Sequence, residues 1–454
     1  TSYLKIGDGP LLDAARLELA RVTTLGLAGF DADLSADGVV EAASALDGMR
    51  SLIGAGSRTP ARLALDSVLA GGASYLRAHA NFESLDRLEF ILRYEAPAAR
   101  LIAVARLESG DSVPHLRRLW RHAAASIFDR EAFDASAYAP DFAPSSSAAL
   151  VALGKRLFNE PRLSGPGTRA CSLCHDPTRA FSDGRATSAL LDSSLAPHPR
   201  NTPTLLNAGL QPALFMDSRV GSLEAQAEAV LASPAEMGGS AEIAAQHLRG
   251  DSAYRNAFAE ALHQRPDTAV TGRAIRIALA AYVRSLEGLN ARFDQALRGD
   301  SSALTPSERH GFTVFMGKGR CGTCHFLPLF NGSMPPDFAV SEPEIIGVPE
   351  RSVTPGARLD PDPGRGGIDN EPTHQGAFKV PALRNIALTA PYMHNGVFTT
   401  LEQVIDFYDR GGGEGIGAMV PGQTLPSRRL HLSALEKKDL IAFLRALTDT
   451  SMLR

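Results

Sequence analysis

The four cysteines of this 454-residue chain all lie in two copies of one short motif. The copies read Cys171-Ser-Leu-Cys174-His175 and Cys321-Gly-Thr-Cys324-His325. A Cys-x-x-Cys-His segment is typical of c-type haem attachment, in which both thiols add to the haem vinyl groups and the histidine binds iron. A zinc ribbon needs Cys-x-x-Cys pairs about 15–20 residues apart, and a redox dithiol needs one pair in a βαβ setting. The sequence has neither arrangement and therefore predicts two covalently attached haems of c type.

Helical periodicity dominates the rest of the chain and predicts a mainly α fold. In the cysteine-free N-terminal part, Leu85, Leu88 and Leu92 share one helical face, and Pro97 is expected to interrupt that helix. Residues 138–147 are rich in proline and serine, as linkers are. We therefore predict an extra helical N-terminal domain of unknown role and two cytochrome-c-like haem domains, over residues 1–143, 144–300 and 301–454.

Three helix starts carry the sequence of a capping box, in which the first and fourth residues satisfy each other's backbone groups. They begin at Thr305, Thr400 and Ser433. The segment 327–376 is rich in glycine and proline, which is expected where porphyrin forms much of a core. The two halves show no close sequence repeat beyond the cysteine motif and a helix before it.

Composition and charge exclude some classes of function. The chain is 44% hydrophobic and 21% charged, as soluble globular proteins are, and has no apolar run near the roughly 18 residues of a membrane-spanning helix. A net charge of -4 argues against a nucleic-acid partner. The sequence opens without a basic, apolar leader, whereas covalent haem attachment occurs outside the bacterial cytoplasm. We expect a mature periplasmic protein whose leader was removed.

Further motifs follow each cysteine motif. The first is followed by Arg200-Asn-Thr-Pro, Phe215-Met-Asp-Ser-Arg and Pro234-Ala-Glu-Met, and the second by Phe378-Lys-Val-Pro and Thr389-Ala-Pro-Tyr-Met-His-Asn-Gly. In order and spacing, residues 148–450 resemble the bacterial dihaem cytochrome c peroxidases and their relative MauG. The resemblance implies two facing cytochrome-c-like domains with a calcium ion between the haems. It assigns no function to residues 1–143.

The resemblance implies a peroxide-reactive first haem bound by His175, where Glu236 matches the distal carboxylate and Gln226 a distal amide. A carboxylate near an open haem iron can move a proton between the two peroxide oxygens. From the residues alone, Glu236 is equally a helix-terminal turn residue and Gln226 an exposed helix residue. Asn201, Thr389 and Pro391 match the calcium ligands, the last two through backbone carbonyls, and oxygen donors suit Ca²⁺. Asn201 could also be a turn residue.

Two positions distinguish subfamilies. Where peroxidases place a methionine ligand of the second iron, this chain has Tyr408, as MauG has tyrosine, so His325 and Tyr408 are the implied ligands. A core role for Tyr408, with Met393 or Met419 as the ligand, stays open. The family's usual inter-haem tryptophan is replaced by Met216, which puts MauG-like charge sharing in doubt. His198 is the nearest candidate for a blocking histidine, although a surface role is equally consistent with its loop.

The resemblance therefore implies a dihaem peroxidase that reduces hydrogen peroxide through high-valent iron. Its electrons come from a small redox protein or from an oxidisable side chain of a partner protein. The alternative is a non-catalytic dihaem electron-transfer cytochrome c, with both irons low-spin and no peroxide reaction. A third hypothesis makes residues 1–143 a docking module.

Overall fold

The computed structural model describes residues 7–32, 37–54, 56, 58–110, 117–191, 200–352 and 356–453. These residues form a mainly α-helical protein, as predicted. The two strands in this part of the chain, Pro343–Glu344 (β1) and Phe378–Lys379 (β2), are two residues long and pair antiparallel. The helices, in chain order, are α1 Asp8–Arg21, α2 Gly38–Gly54, α3 Pro60–Ala78, α4 Arg87–Phe90, α5 Ala96–Glu108, α6 Ala148–Phe158, α7 Leu223–Ala232, α8 Ala241–Arg249, α9 Ser252–Leu262, α10 Gly272–Arg284, α11 Arg292–Leu297, α12 Pro306–Met316, α13 Gly366–Asp369, α14 Leu401–Arg410, α15 Gly412–Gly415 and α16 Ala434–Ala446.

The helix starts agree with the sequence prediction, but the effect of Pro97 does not. Thr305, Thr400 and Ser433 each form a complete capping box at the start of α12, α14 and α16. The predicted interruption at Pro97 is wrong, because a π-helical turn over Ile91–Glu95 joins α4 to α5. Pro97 lies in the first turn of α5. There the widened turn accommodates the proline without ending the helical run.

The two predicted haem domains, residues 144–300 and 301–454, are called the first and second haem halves. Each contains a pair of helices that cross at a glycine. A Cβ atom on Gly154 of α6 would lie 2.0 Å from the carbonyl oxygen of Ala278 in α10. A Cβ atom on Gly311 of α12 would lie 2.0 Å from the carbonyl oxygen of Asp439 in α16. Both crossings therefore need a residue without a side chain, and the two halves share one helix arrangement.

A second shared feature follows each cysteine motif, over residues 202–226 and 380–404. Both segments contain a left-handed asparagine, Asn207 and Asn385, followed by a 3₁₀ turn and, after a loop, by α7 or α14. The Asn207 side-chain oxygen accepts the Gly288 N–H at 2.8 Å, and that of Asn385 accepts the Asp449 N–H at 2.8 Å. The two halves show no close sequence repeat beyond the cysteine motif and a helix before it, yet they share this backbone conformation. The repeat lies in backbone conformation, and most of the side chains differ.

Three large hydrophobic clusters organise the described residues. One lies within the N-terminal helices α1 to α5, and a second within the first haem half. The third combines the second haem half with Leu210, Phe293, Ala296 and Leu297, with residues between 119 and 138, and with Ala20, Ala28, Leu88 and Ile91. The N-terminal region therefore shares a core with the second haem half. No helix in the described ranges is long and apolar enough to cross a membrane.

Candidate functional site

Both cysteine motifs line one cavity of about 940 Å³, between the two haem halves. Each motif begins with a short 3₁₀ turn, Cys171–Leu173 or Cys321–Thr323. All four cysteines are free thiols. Burial raises the pKa of both Cys171 and Cys321 to about 12, so these thiols are protonated at neutral pH. The cavity size and the paired thiols fit a thioether-linked macrocycle at each motif.

The two motif histidines are oriented for iron binding by backbone carbonyls. His175 Nδ1 lies 3.0 Å from the Phe181 carbonyl oxygen, and His325 Nδ1 lies 3.1 Å from that of Pro381. Because a carbonyl only accepts, each Nδ1 carries the proton and each Nε2 keeps its lone pair for a metal. Burial lowers the pKa of both histidines, that of His325 to about 4, so both rings are neutral. The residues present fit a proximal ligand in each half.

Helices α7 and α14 occupy equivalent places, each beginning at a hydroxyl cap, Ser222 or Thr400. Each helix presents four equivalently spaced side chains to the cavity: Leu223, Gln226, Ala227 and Val230 from α7, and Leu401, Val404, Ile405 and Tyr408 from α14. The equivalence puts Gln226 at the position of Val404 and Tyr408 at the position of Val230. The two halves therefore present different polar groups from equivalent helices.

Each of the two helices is followed, at the same separation in sequence, by a glutamate. Only one of these two glutamates faces the cavity. Glu236 lies in the turn after α7, where its N–H donates to the Ser233 carbonyl at 3.1 Å, and it lines the cavity. Glu414, the equivalent residue after α14, is exposed and does not line it. Glu236 and Gln226 thus both line the cavity in the first half.

The Tyr408 side chain faces the cavity of the second half. Burial raises the pKa of its phenol well above the ordinary value, and the hydroxyl makes no hydrogen bond to the described residues. Met419 is 86% exposed and lies outside the cavity, which rules it out as an iron ligand in this conformation. Met393 lines the cavity and remains the alternative to Tyr408. His198 lies outside the described residues.

The two haem halves meet through a pair of equivalent hydrogen bonds. The Asn201 N–H donates to the His394 carbonyl at 2.6 Å, and the Lys379 N–H donates to the Met216 carbonyl at 2.7 Å. Since 201 and 379, like 216 and 394, are equivalent positions of the repeat, the contact has approximate two-fold symmetry. Met216 therefore lies at the junction of the halves.

The predicted calcium ligands Asn201, Thr389 and Pro391 also line the cavity. The described residues contain no cluster of three or more His, Cys, Asp or Glu side chains that could hold a metal. The predicted calcium site consists of one side-chain amide and two backbone carbonyls, so it would not form such a cluster.

Sequence reasoning missed several polar groups of this cavity. The His394 ring stacks on Phe378 at 3.8 Å, and the buried Lys379 Nζ donates to the Gln211 side-chain oxygen at 2.6 Å. Burial lowers the pKa of Lys379 to about 8. Glu344 lies 3.7 Å from the Cys324 sulfur, and burial raises the pKa of its carboxyl. Lys379 and His394 lie within recognisable motifs, whereas no local pattern marks Glu344.

Comparison with known proteins agrees with this geometry. A family model described as di-haem cytochrome c peroxidase matches residues 148–302. The cytochrome-c peroxidase IdrP2 of Denitromonas iodatirespirans is 35% identical over 330 residues, 67% of this chain and 83% of that protein. The methylamine utilization protein MauG of Paracoccus denitrificans is 34% identical over 66% of this chain and 89% of its own length.

A solved structure extends the similarity to the fold. The crystal structure of a MauG-like protein associated with microbial copper homeostasis superposes with a TM-score of 0.57 at 33% identity, covering 69% of this chain and 96% of that one. With two haem-attachment motifs on one cavity, these similarities show that the chain belongs to the dihaem cytochrome c peroxidase family, which includes MauG.

Proposed function

We propose that this dihaem peroxidase reduces hydrogen peroxide at the haem held by Cys171, Cys174 and His175, with Glu236 and Gln226 on its reactive face. The observation that carries the proposal is the difference between the two equivalent glutamates. Glu236 lines the cavity beside α7, whereas Glu414 is turned to solvent. An acid-base group is thus available beside the first motif, which a simple electron carrier would not need.

The haem iron, when bound, supplies the electrons that break the O–O bond. Reduction of one peroxide to two water molecules consumes two electrons and two protons. The Glu236 carboxylate would take the proton from one peroxide oxygen and deliver it to the other, which would leave as water. The remaining oxygen would form the second water with the two electrons and two protons consumed. The Gln226 amide donates a hydrogen bond to the peroxide and orients it. Groups of this kind typically contribute about 10²–10⁴-fold to a rate.

In this proposal Cys321, Cys324, His325 and Tyr408 would hold the second haem. The proposal is supported by a half-buried phenol that faces the cavity and has no other hydrogen-bond partner in the described chain. Ligation removes the phenol proton, and an anionic oxygen ligand favours the oxidised iron, whereas a methionine thioether raises the potential. A haem held in this way would resist reduction and could retain an oxidising equivalent.

A calcium ion between the halves is proposed at Asn201, Thr389 and Pro391. Its support is that these residues lie close to the symmetric contact that joins the halves, where an ion would fix the distance between the haems. The electron donor is proposed to be a small redox protein or an oxidisable side chain of a partner protein. The protein is proposed to act in the periplasm, because c-type haems are attached outside the cytoplasm.

The experiment that tests the peroxide site compares Glu236→Gln with Glu414→Gln in the loaded protein. Glu236→Gln should keep two haems per chain and slow peroxide-driven oxidation by about 10²–10⁴-fold. Glu414→Gln removes the same charge at the equivalent, solvent-facing position and should react as the unmodified protein does. Equal rates for both variants would remove Glu236 from the mechanism. No peroxide reaction in the unmodified protein would favour the electron-carrier alternative.

A further inference from the structure

The N-terminal region packs directly on the second cysteine motif. A Cβ atom on Gly322, between Cys321 and Cys324, would lie 3.5 Å from the Cβ of Ala28. A Cβ atom on Gly317, just before the motif, would lie 2.7 Å from the Glu83 carbonyl oxygen. Two N-terminal segments therefore contact the outer side of the motif; we call residues 27–32 and 82–87 together the cover.

One residue of the cover reaches the cavity itself. The Phe30 ring meets the Phe326 ring edge to face, with centroids 5.3 Å apart. Phe30 lines the cavity together with Cys321 and Cys324, and it is 40% exposed. It therefore lies at the rim, between solvent and the place where the thioether-linked edge of the second haem must be.

The cover is held rigidly by a buried arginine. Arg87 donates to the carbonyls of Leu27, at 2.6 Å, and of Phe82, at 2.8 Å, which ties the two segments together. The Phe82 ring is flanked by the guanidinium groups of Arg87 and Arg320, at 4.5 and 5.2 Å. Arg320 immediately precedes Cys321, so these contacts link the cover to the second motif.

The turn that carries Phe30 depends on a glycine. Gly29 has a φ of +80°, and a Cβ atom there would lie 2.8 Å from the Phe82 ring. Glycine is therefore required both by the left-handed conformation and by the close approach of the ring. This turn places Phe30 at the rim.

The first motif has no comparable cover in the described chain. Leu173, between Cys171 and Cys174, is 58% exposed. Of the described residues before 150, Phe30 is the one that lines the cavity. Among the described residues, the covering is therefore specific to the second motif.

We propose that the N-terminal helical region shields the attachment edge of the second haem, so that soluble redox proteins and small reductants exchange electrons with this haem only through the first. Outer-sphere electron transfer requires close approach of donor and haem edge, and the cover occupies that approach. The inference rests on a haem at the second motif and is independent of Glu236 and Tyr408. It assigns the N-terminal region an insulating role.

The test is stopped-flow reduction of the fully ferric holoprotein by reduced methyl viologen, a small one-electron donor. In the unmodified protein, one haem should be reduced with a rate constant proportional to donor concentration. The other should follow in a phase that does not change with concentration, because it waits for transfer between the haems. In Phe30→Ala, doubling the donor concentration should double the rate constants of both phases.

Two matched variants serve as controls. Phe30→Tyr keeps the aromatic ring at the rim and should retain the concentration-independent phase. Leu107→Ala removes an apolar side chain that is 80% exposed elsewhere on the N-terminal region, and it should also leave both phases unchanged.

Two phases that are both proportional to donor concentration in the unmodified protein would overturn the proposal. So would a Phe30→Ala variant that keeps the concentration-independent phase. Amide hydrogen exchange of the unmodified protein is an independent measurement that needs no variant. The amides of 321–326 should exchange more slowly than those of 171–176, and equal exchange would contradict the shield.

Discussion

A single methyl group added at the crossing of α12 and α16 should destabilise the second haem half. In Gly311→Ala the new Cβ would lie 2.0 Å from the Asp439 carbonyl oxygen and 2.7 Å from the Phe443 Cβ. Neither atom belongs to a flexible side-chain end, so the helices themselves must separate. Overpacking of this kind costs about 1–3 kcal/mol, while replacing glycine by alanine within a helix gains about 1 kcal/mol. We expect a net loss of roughly 1–2 kcal/mol, since the backbone clash places the cost toward its upper end.

The matched control is Gly48→Ala in α2, where no atom lies within 4 Å of the new Cβ. It gains the same helix propensity without a clash and should stabilise the protein by up to about 1 kcal/mol. Thermal unfolding of the holoprotein, followed by circular dichroism, should therefore shift in opposite directions for the two variants. A Gly311→Ala variant whose unfolding temperature equals or exceeds that of the unmodified protein would refute the close crossing.

Three further predictions concern the second haem and the junction. Tyr408→Phe should abolish the axial oxygen ligand and change the low-spin spectrum of one haem, whereas a core role for Tyr408 predicts lost packing and an unaltered spectrum. Tyr408→Met should raise the potential of that haem, measured by redox titration, and make the peroxide reaction depend on prior reduction. Removal of calcium by a chelator should slow electron transfer between the haems without loss of haem, and unchanged transfer kinetics would argue against an ion at Asn201, Thr389 and Pro391.

Features that depend only on residues close together in the chain could be predicted from the sequence. Attachment of a haem requires two thiols and a histidine at fixed spacing, so the two motifs at Cys171 and Cys321 could be identified directly. Capping boxes at Thr305 and Thr400 are also local, because each satisfies backbone groups within one helical turn. The helical class and the helix starts therefore followed from the sequence.

Long-range features did not follow from it. The repeat that relates Asn207 to Asn385 lies in backbone conformation, and few side chains preserve it. Glu344 reaches the cavity because β1 pairs with β2, a contact between distant residues. The packing of Ala28 and Phe30 against the second motif depends on tertiary contacts that helical periodicity does not encode.

The central claim is that the resting, fully ferric protein reacts with peroxide at the first haem and draws on the second. It is tested most directly by mixing that protein with one equivalent of hydrogen peroxide and freezing the sample for EPR spectroscopy. Before mixing, one high-spin and one low-spin ferric signal should be present. After mixing, both signals should decrease together, without prior reduction. Two low-spin signals that peroxide leaves unchanged would contradict it.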